Sequence, residues 1–359
     1  MKQDVDKQDE LKKQAPAIGY VHTQNLPGLL HELGISLFVT TYQAQRVMTF
    51  GSSDGSRMSM WMRIFARPTG LALRPGEMAL GSKNQIWFFQ AASDIRDPEG
   101  VPLPYELVFV PRHSHVTGDV AIHQMDWVGD RLHFVNSRFS CICTLDPRWS
   151  FVPVWKPPFI SEISPDDRCH LNGFCTKDGK LRFVTALGHS DAPHGWREKK
   201  RDGGILLDVE SGESIATGLS MPHTPKWYRE KLWVLESGTG SLLQVDPKDG
   251  TRTVVQRFPG FLRGLSFYDR LAFVGLCKIR EKAEFGGLPV ESMYPELKCA
   301  VYVIDIETAE ILGFIEFTKG IEELFDIDLL PGIRNPHIIG FEEDTVDGIM
   351  ILPPKEVYS

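Results

Sequence analysis

The chain has 359 residues, 42% of them hydrophobic, with a net charge of −8 and an isoelectric point near 5.8. This acidic balance disfavours a nucleic-acid binder that works by neutralising phosphates, and no nucleic-acid partner is expected. No apolar run approaches the length of about 18 residues that a membrane-crossing helix needs, so no membrane partner is expected.

The N-terminal segment 1–17 is highly charged and reads as a flexible extension, without the apolar stretch of a signal peptide. The rest, 18–359, reads as one domain. Leucines at helical spacing over 25–34, stopped by Gly34, predict a short N-terminal helix. From Ile35 onward the pattern turns to strand, turn, strand, with a first set at 35–42, 46–51 and 58–65.

One unit then recurs. It reads Phe38-Val-Thr-Thr, Trp87-Phe-Phe-Gln, Phe134-Val-Asn-Ser, Phe183-Val-Thr-Ala, Trp233-Val-Leu-Glu, Phe273-Val-Gly-Leu and Ile338-Ile-Gly-Phe. The interval is nearly constant as far as Trp233, shorter before Phe273 and longer before Ile338. Short alternating strands at a period of about 40–50 residues predict an all-β fold, the β-propeller. A second motif opens most repeats: Arg67-Pro-Thr-Gly-Leu, His115-Val-Thr-Gly-Asp, His170-Leu-Asn-Gly-Phe, Pro222-His-Thr-Pro-Lys, Phe261-Leu-Arg-Gly-Leu and Gly320-Ile-Glu-Glu-Leu. It marks the innermost strand. Seven units and six openings favour seven blades, with six as the alternative if the terminal segments share a blade.

The six cysteines lack metal-type spacing and read as reduced thiols, consistent with a cytoplasmic location. The basic cluster of Arg197, Lys199, Lys200 and Arg201 reads as a solvated loop. Strand-entry residues of a propeller converge on its axis. Stacking the openings brings Thr69, Thr117, Asn172, Thr224, Arg263 and Glu322 to one level, with His115, His170 and His223 beside them. His123 and His133 read as structural, although His123 could still face the channel. The loops of the same face add His189, Asp191, Trp196 and Arg197, then Arg138, Ser237 and Arg280. The 276–298 insertion reads as a lid.

Three chemistries fit this set. A divalent metal would take His115, His170, His223 and Glu322 or Glu323 as ligands. Metal-free acid/base catalysis would use His170, His223, His189 and Asp191, with Arg263 as an anion clamp. Thr117, Asn172, Arg138, Trp196, Arg197, Ser237 and Arg280 would then contact substrate. In the passive case these groups hydrogen-bond only a ligand or one another.

The strings Asp167-Arg-Cys-His-Leu-Asn-Gly173, Val184-Thr-Ala-Leu-Gly188, Gly195-Trp-Arg197, Gly218-Leu-Ser-Met-Pro-His223 and Arg263-Gly-Leu265 resemble an uncharacterised bacterial family. That family is a domain of unknown function, read as a propeller and sometimes found near tetratricopeptide repeats. The similarity runs from about Leu29 to Pro353. It implies the propeller and this face, and implies no reaction. The expectation is an enzyme acting on a small polar or anionic molecule in the axial pocket. The alternative is a scaffold binding a protein or peptide on the same face.

Overall fold

The computed structural model describes residues 17–93, 95–96, 101–279, 285–341 and 345–353. Expectations for the stretch 1–16 and for Arg280 lie outside the described residues. The described strands form six antiparallel sheets of four strands, two of which carry a fifth strand at the outer edge. They are the blades of a six-bladed propeller.

Chain order runs outward within each blade from the second to the sixth, whose innermost strands are Leu71–Arg74, Ile122–Val128, Leu171–Lys177, Pro222–Tyr228 and Phe261–Tyr268. The first blade is shared by the two ends of the chain. Its outer strands, Ile35–Thr41, Arg46–Gly51 and Ser59–Ile64, are N-terminal, while the innermost, Ile327–Pro331, comes from the far end. The register runs from Ile35 opposite Pro331 to Val39 opposite Ile327. The missing opening of the N-terminal unit is therefore supplied by the C-terminus, and six blades close the ring rather than seven.

The recurring aromatic unit marks the second strand in five blades, as at Phe38, Phe134, Phe183, Trp233 and Phe273. Trp87 instead lies on the third strand of its blade. Ile338 ends the short strand Pro336–Ile338, which adds in parallel to the outermost strand, Leu107–Val116. The apparent seventh unit is thus an edge strand. The helix Leu26–Leu33 forms where expected and ends at Gly34, whose φ of 64° is left-handed.

Apolar side chains fill the wedges between blades. Phe38 and Val47 of the first meet Met78, Phe89 and Phe109 of the second. Burying each such side chain is worth about 1.5–3 kcal/mol. Nearer the axis the joints are polar. The Thr40 hydroxyl donates to Thr69 O at 2.6 Å, and Asp326 and Asp328 accept from the backbone N–H groups of Leu71 and Leu73 at 3.0 and 3.1 Å. These bonds lace the first blade, through its N-terminal and C-terminal strands, to the second. Gly70 shows how closely blades approach: a Cβ there would lie 2.1 Å from His123 O.

Candidate functional site

The ring closure brings His123, His170, His223, Arg263 and Phe325 together on the axis. The His123 ring lies 5.0 Å from that of His170, 6.3 Å from that of His223 and 5.2 Å from that of Phe325, centroid to centroid. The Arg263 guanidinium stands 4.7 Å over the Phe325 ring. Above them opens a cavity of about 170 Å³, bordered by Tyr42, Arg67, His123, His170, Arg263 and Glu323 among others. Below it, a recess of about 10 Å³ reaches His223, Asn172 and Asp326.

Each axial histidine is held through Nδ1. Ser137 Oγ donates its hydrogen to Leu171 O, so it accepts from His123 Nδ1–H at 2.9 Å. Ser237 Oγ likewise donates to Leu262 O and accepts from His223 Nδ1–H at 2.9 Å. The Met221 carbonyl shares that proton at 3.0 Å. The Asp167 carboxylate accepts from His170 Nδ1–H at 2.9 Å and from Trp196 Nε1–H at 3.0 Å. A ring that donates at Nδ1 presents a lone pair at Nε2 when neutral. All three Nε2 atoms are buried and have no hydrogen-bond partner among the described residues.

Electrostatics keep two of these rings neutral. Burial, reinforced by His170 and Arg263, holds His123 well below the ordinary imidazole range. Burial and Arg263 do the same to His223. Arg263 is only 6% exposed, and no hydrogen bond or ion pair engages its guanidinium among the described residues. Arg67, at the cavity wall, is paired with Asp119 at 3.5 Å. On the floor side, burial pushes Asp326 up to about 7.

Several expected site residues stand elsewhere. His115 lies on the outermost strand of the second blade, half-buried and away from the axis, with Nε2 bonded to Trp149 O at 2.9 Å. The Thr-Gly pair after it mimics the true openings, but the innermost strand of the third blade begins at Ile122, so His123 takes the axial position. Thr117 bonds its neighbour Gly118 rather than lining the cavity. Glu322 is exposed, and its neighbour Glu323 borders the cavity instead.

Asp191 is engaged by Arg168 at 2.8 Å and by Ser161 N–H at 3.0 Å, which hold it down at about 2. His189 packs on Phe159 with ring centroids 4.1 Å apart, and Arg138 is exposed. Arg197 lies outside the axis over the Trp196 ring. Trp196 itself is buried, its ring 4.5 Å from that of His170. Asn172 donates to Pro222 O at 2.9 Å and borders the recess. Ser237 acts on His223 rather than facing the cavity. Among the described residues no three His, Cys, Asp or Glu side chains gather as a metal-ligand set.

Sequence reasoning placed His123 among the structural histidines and did not single out Asp167. The signal for the first was a repeated interval: serine follows histidine at the same spacing in His123–Ser137 and His223–Ser237. For the second it was an aspartate one helical turn's spacing ahead of His170, in the pair Asp167–His170.

These observations define a six-bladed propeller with an axial cavity built from histidine and arginine. The chain belongs to the DUF4915 family, a domain of unknown function whose profile matches residues 24–339. A search of curated proteins returns no match to the sequence. A chain from the crystal structure of a nidogen/laminin complex is similar in fold, with a TM-score of 0.50 at 10% identity, covering 83% of this chain and 98% of that one. A protein of unknown function from Bacteroides caccae gives a TM-score of 0.46 at 11% identity, covering 82% and 98%. All six cysteines are free and buried. No helix among the described residues is long and apolar enough to cross a membrane.

Proposed function

We propose that the protein is an enzyme acting on a small polar, anionic molecule held in the axial cavity. The observation that carries this reading is the convergence of three buried imidazole Nε2 atoms, unpartnered among the described residues, beside a buried arginine that is likewise unpaired among them. Burying such groups costs stability unless an occupant satisfies them. Arg263 offers a forked donor set suited to a carboxylate or phosphate. His170 supports acid/base work: its ring borders the cavity, and Asp167 on the Nδ1 side stabilises the imidazolium formed when Nε2 takes a proton from the substrate. Trp196 fixes that carboxylate from its other side.

A recessed cavity favours a small molecule over the flat, open surface that a protein or peptide partner would use. The test is conversion of a mixed pool of low-mass anions, followed by mass spectrometry, for wild type, His170→Gln and Arg263→Gln. The expected result is one or more anions consumed by wild type, with loss of at least about 10²-fold in His170→Gln although that variant stays folded. Equal consumption by all three proteins, or none by wild type, overturns the reading.

A further inference from the structure

The hydrogen-bond pattern restricts the occupant further, on the premise that the axial cavity is a small-anion site. The three Nδ1 protons are already given to Ser137, Asp167 and Ser237. A ring held this way can, in its neutral form, only accept at Nε2. An occupant must bring hydrogens to these nitrogens, as hydroxyl groups do, or must be a cation.

Charge decides between these. The Arg263 guanidinium, unpaired among the described residues, borders both the cavity and the recess, and Arg67 and Lys83 also line the cavity against Asp119 and Glu323. Histidines aside, the described wall carries three cationic and two anionic side chains. A dication or ammonium among the imidazoles would lie beside the Arg263 charge with no gathered ligand set among the described residues, whereas a hydroxylated anion satisfies the imidazoles and the guanidinium together. Size narrows the class. A cavity near 170 Å³ is about that of an engineered site that holds benzene, which suits a compact molecule. Phe325, flanked by Tyr42 at 5.8 Å, supplies an apolar wall for a carbon skeleton.

We infer that the axial cavity takes a compact hydroxylated anion, a short-chain sugar acid or polyol phosphate, with its anionic group on Arg263 and its hydroxyls donated to His123 and His170. The recess beside His223 has room for about one further hydroxyl or water.

The test is calorimetric titration of the full chain with two graded series: propionate, lactate, glycerate and erythronate, then propyl phosphate, propane-1,2-diol 1-phosphate and glycerol 1-phosphate. Inorganic phosphate and Zn²⁺ are titrated alone. Affinity is expected to rise about 3–10-fold with each hydroxyl that reaches an imidazole, in the series whose anionic group is the right one. That gain should vanish in His123→Phe, while Arg263→Gln should abolish binding of every anion. Equal affinity for hydroxylated and deoxy anions overturns the hydroxyl inference and leaves the anion site standing. Stoichiometric Zn²⁺ binding that needs His123 and His170 overturns it in favour of a metal centre. No anion binding by the wild type removes the underlying reading as well.

Discussion

The Ser137 hydroxyl accepts a hydrogen bond from His123 Nδ1 at 2.9 Å while donating its own hydrogen to Leu171 O in the next blade. Two blades further on, Ser237 treats His223 in the same way and donates to Leu262 O. One device, used twice, joins blade-to-blade packing to the protonation state of an axial imidazole. The serine's single hydrogen is committed to a carbonyl, so the ring must be the donor, and its other nitrogen is left as an acceptor. Asp167 does the corresponding work for His170 with a carboxylate.

The two serines are not equally indispensable. His223 Nδ1 has the Met221 carbonyl as a second acceptor at 3.0 Å, whereas His123 has only Ala121 O at a weak 3.4 Å. Ser137→Ala is therefore expected to let His123 sample the Nε2–H form, while Ser237→Ala leaves His223 in the Nδ1–H form. Each should cost about 1 kcal/mol of stability through the lost interblade hydrogen bond. Nitrogen-15 shifts of labelled histidine report the tautomers directly. Identical behaviour of the two variants would contradict this ranking.

Arg263 sets binding against stability. Its charge is buried without a countercharge among the described residues, with only the faces of Phe325 and Phe261 beneath it. An uncompensated buried charge destabilises a fold. Arg263→Leu is expected to raise the stability of the ligand-free protein by about 1–2 kcal/mol, which for a chain of this size raises the unfolding midpoint by about 1–3 °C. The same change should remove anion binding. Thermal unfolding with and without ligand checks both halves, and a variant less stable than wild type would show that a water-filled cavity already solvates the guanidinium.

Much of this architecture is legible in the chain, because propeller repeats impose a period on strand residues that no other constraint disturbs. Phe134, Phe183, Trp233 and Phe273 mark second strands for that reason. The openings at His170, Pro222 and Phe261 also fall at their blades' innermost strands. The blade number was harder, since closure depends on Ile327–Pro331 pairing with Ile35–Thr41 at the opposite end of the chain, and no local pattern encodes that. His115 misled because Thr117-Gly118 copies the local chemistry of Thr69-Gly70, while the third blade begins at an Ile-His-Gln sequence with no glycine. The Asp167–His170 spacing is only a faint signal, because the contact depends on left-handed backbone at both residues, with φ of 46° and 49°.

Asp167 is a positioning residue in this arrangement. Asp167→Asn keeps the side chain's size but can present an N–H to the imidazole and so favour the opposite tautomer, removing the Nε2 lone pair. Once a substrate is in hand, kcat should fall by about 10²–10⁴-fold with KM little changed, as expected when the wrong tautomer is stabilised in a folded site. Trp196→Phe removes only one bond to the same carboxylate and should cost far less. A drop in KM and kcat together, with loss of the folded signal, would reduce Asp167 to a structural role.

Stability should fall steeply with acid. His123, His223 and His337 are all depressed, chiefly by burial, with His337 at about 3 and paired to Arg63 at 2.7 Å. Each binds a proton in the unfolded chain at about pH 6.5 but stays neutral in the fold well below that, so the stability it supports above pH 6.5 is lost as pH drops. Asp326, raised to about 7, works the other way: between about pH 7 and 4 the fold holds a proton that the unfolded chain does not, which favours the fold as acid is added. Near pH 5 these four groups leave the unfolded chain about two protons richer (three histidines against one aspartate), a slope of about 2.7 kcal/mol per pH unit. His337→Gln should make this dependence shallower by about one proton, or about 1.4 kcal/mol per unit, whatever it costs in stability at pH 7. Urea midpoints at half-unit steps from pH 7 to 4.5 measure both slopes, and an unchanged slope in His337→Gln would mean that His337 takes up its proton in the folded state.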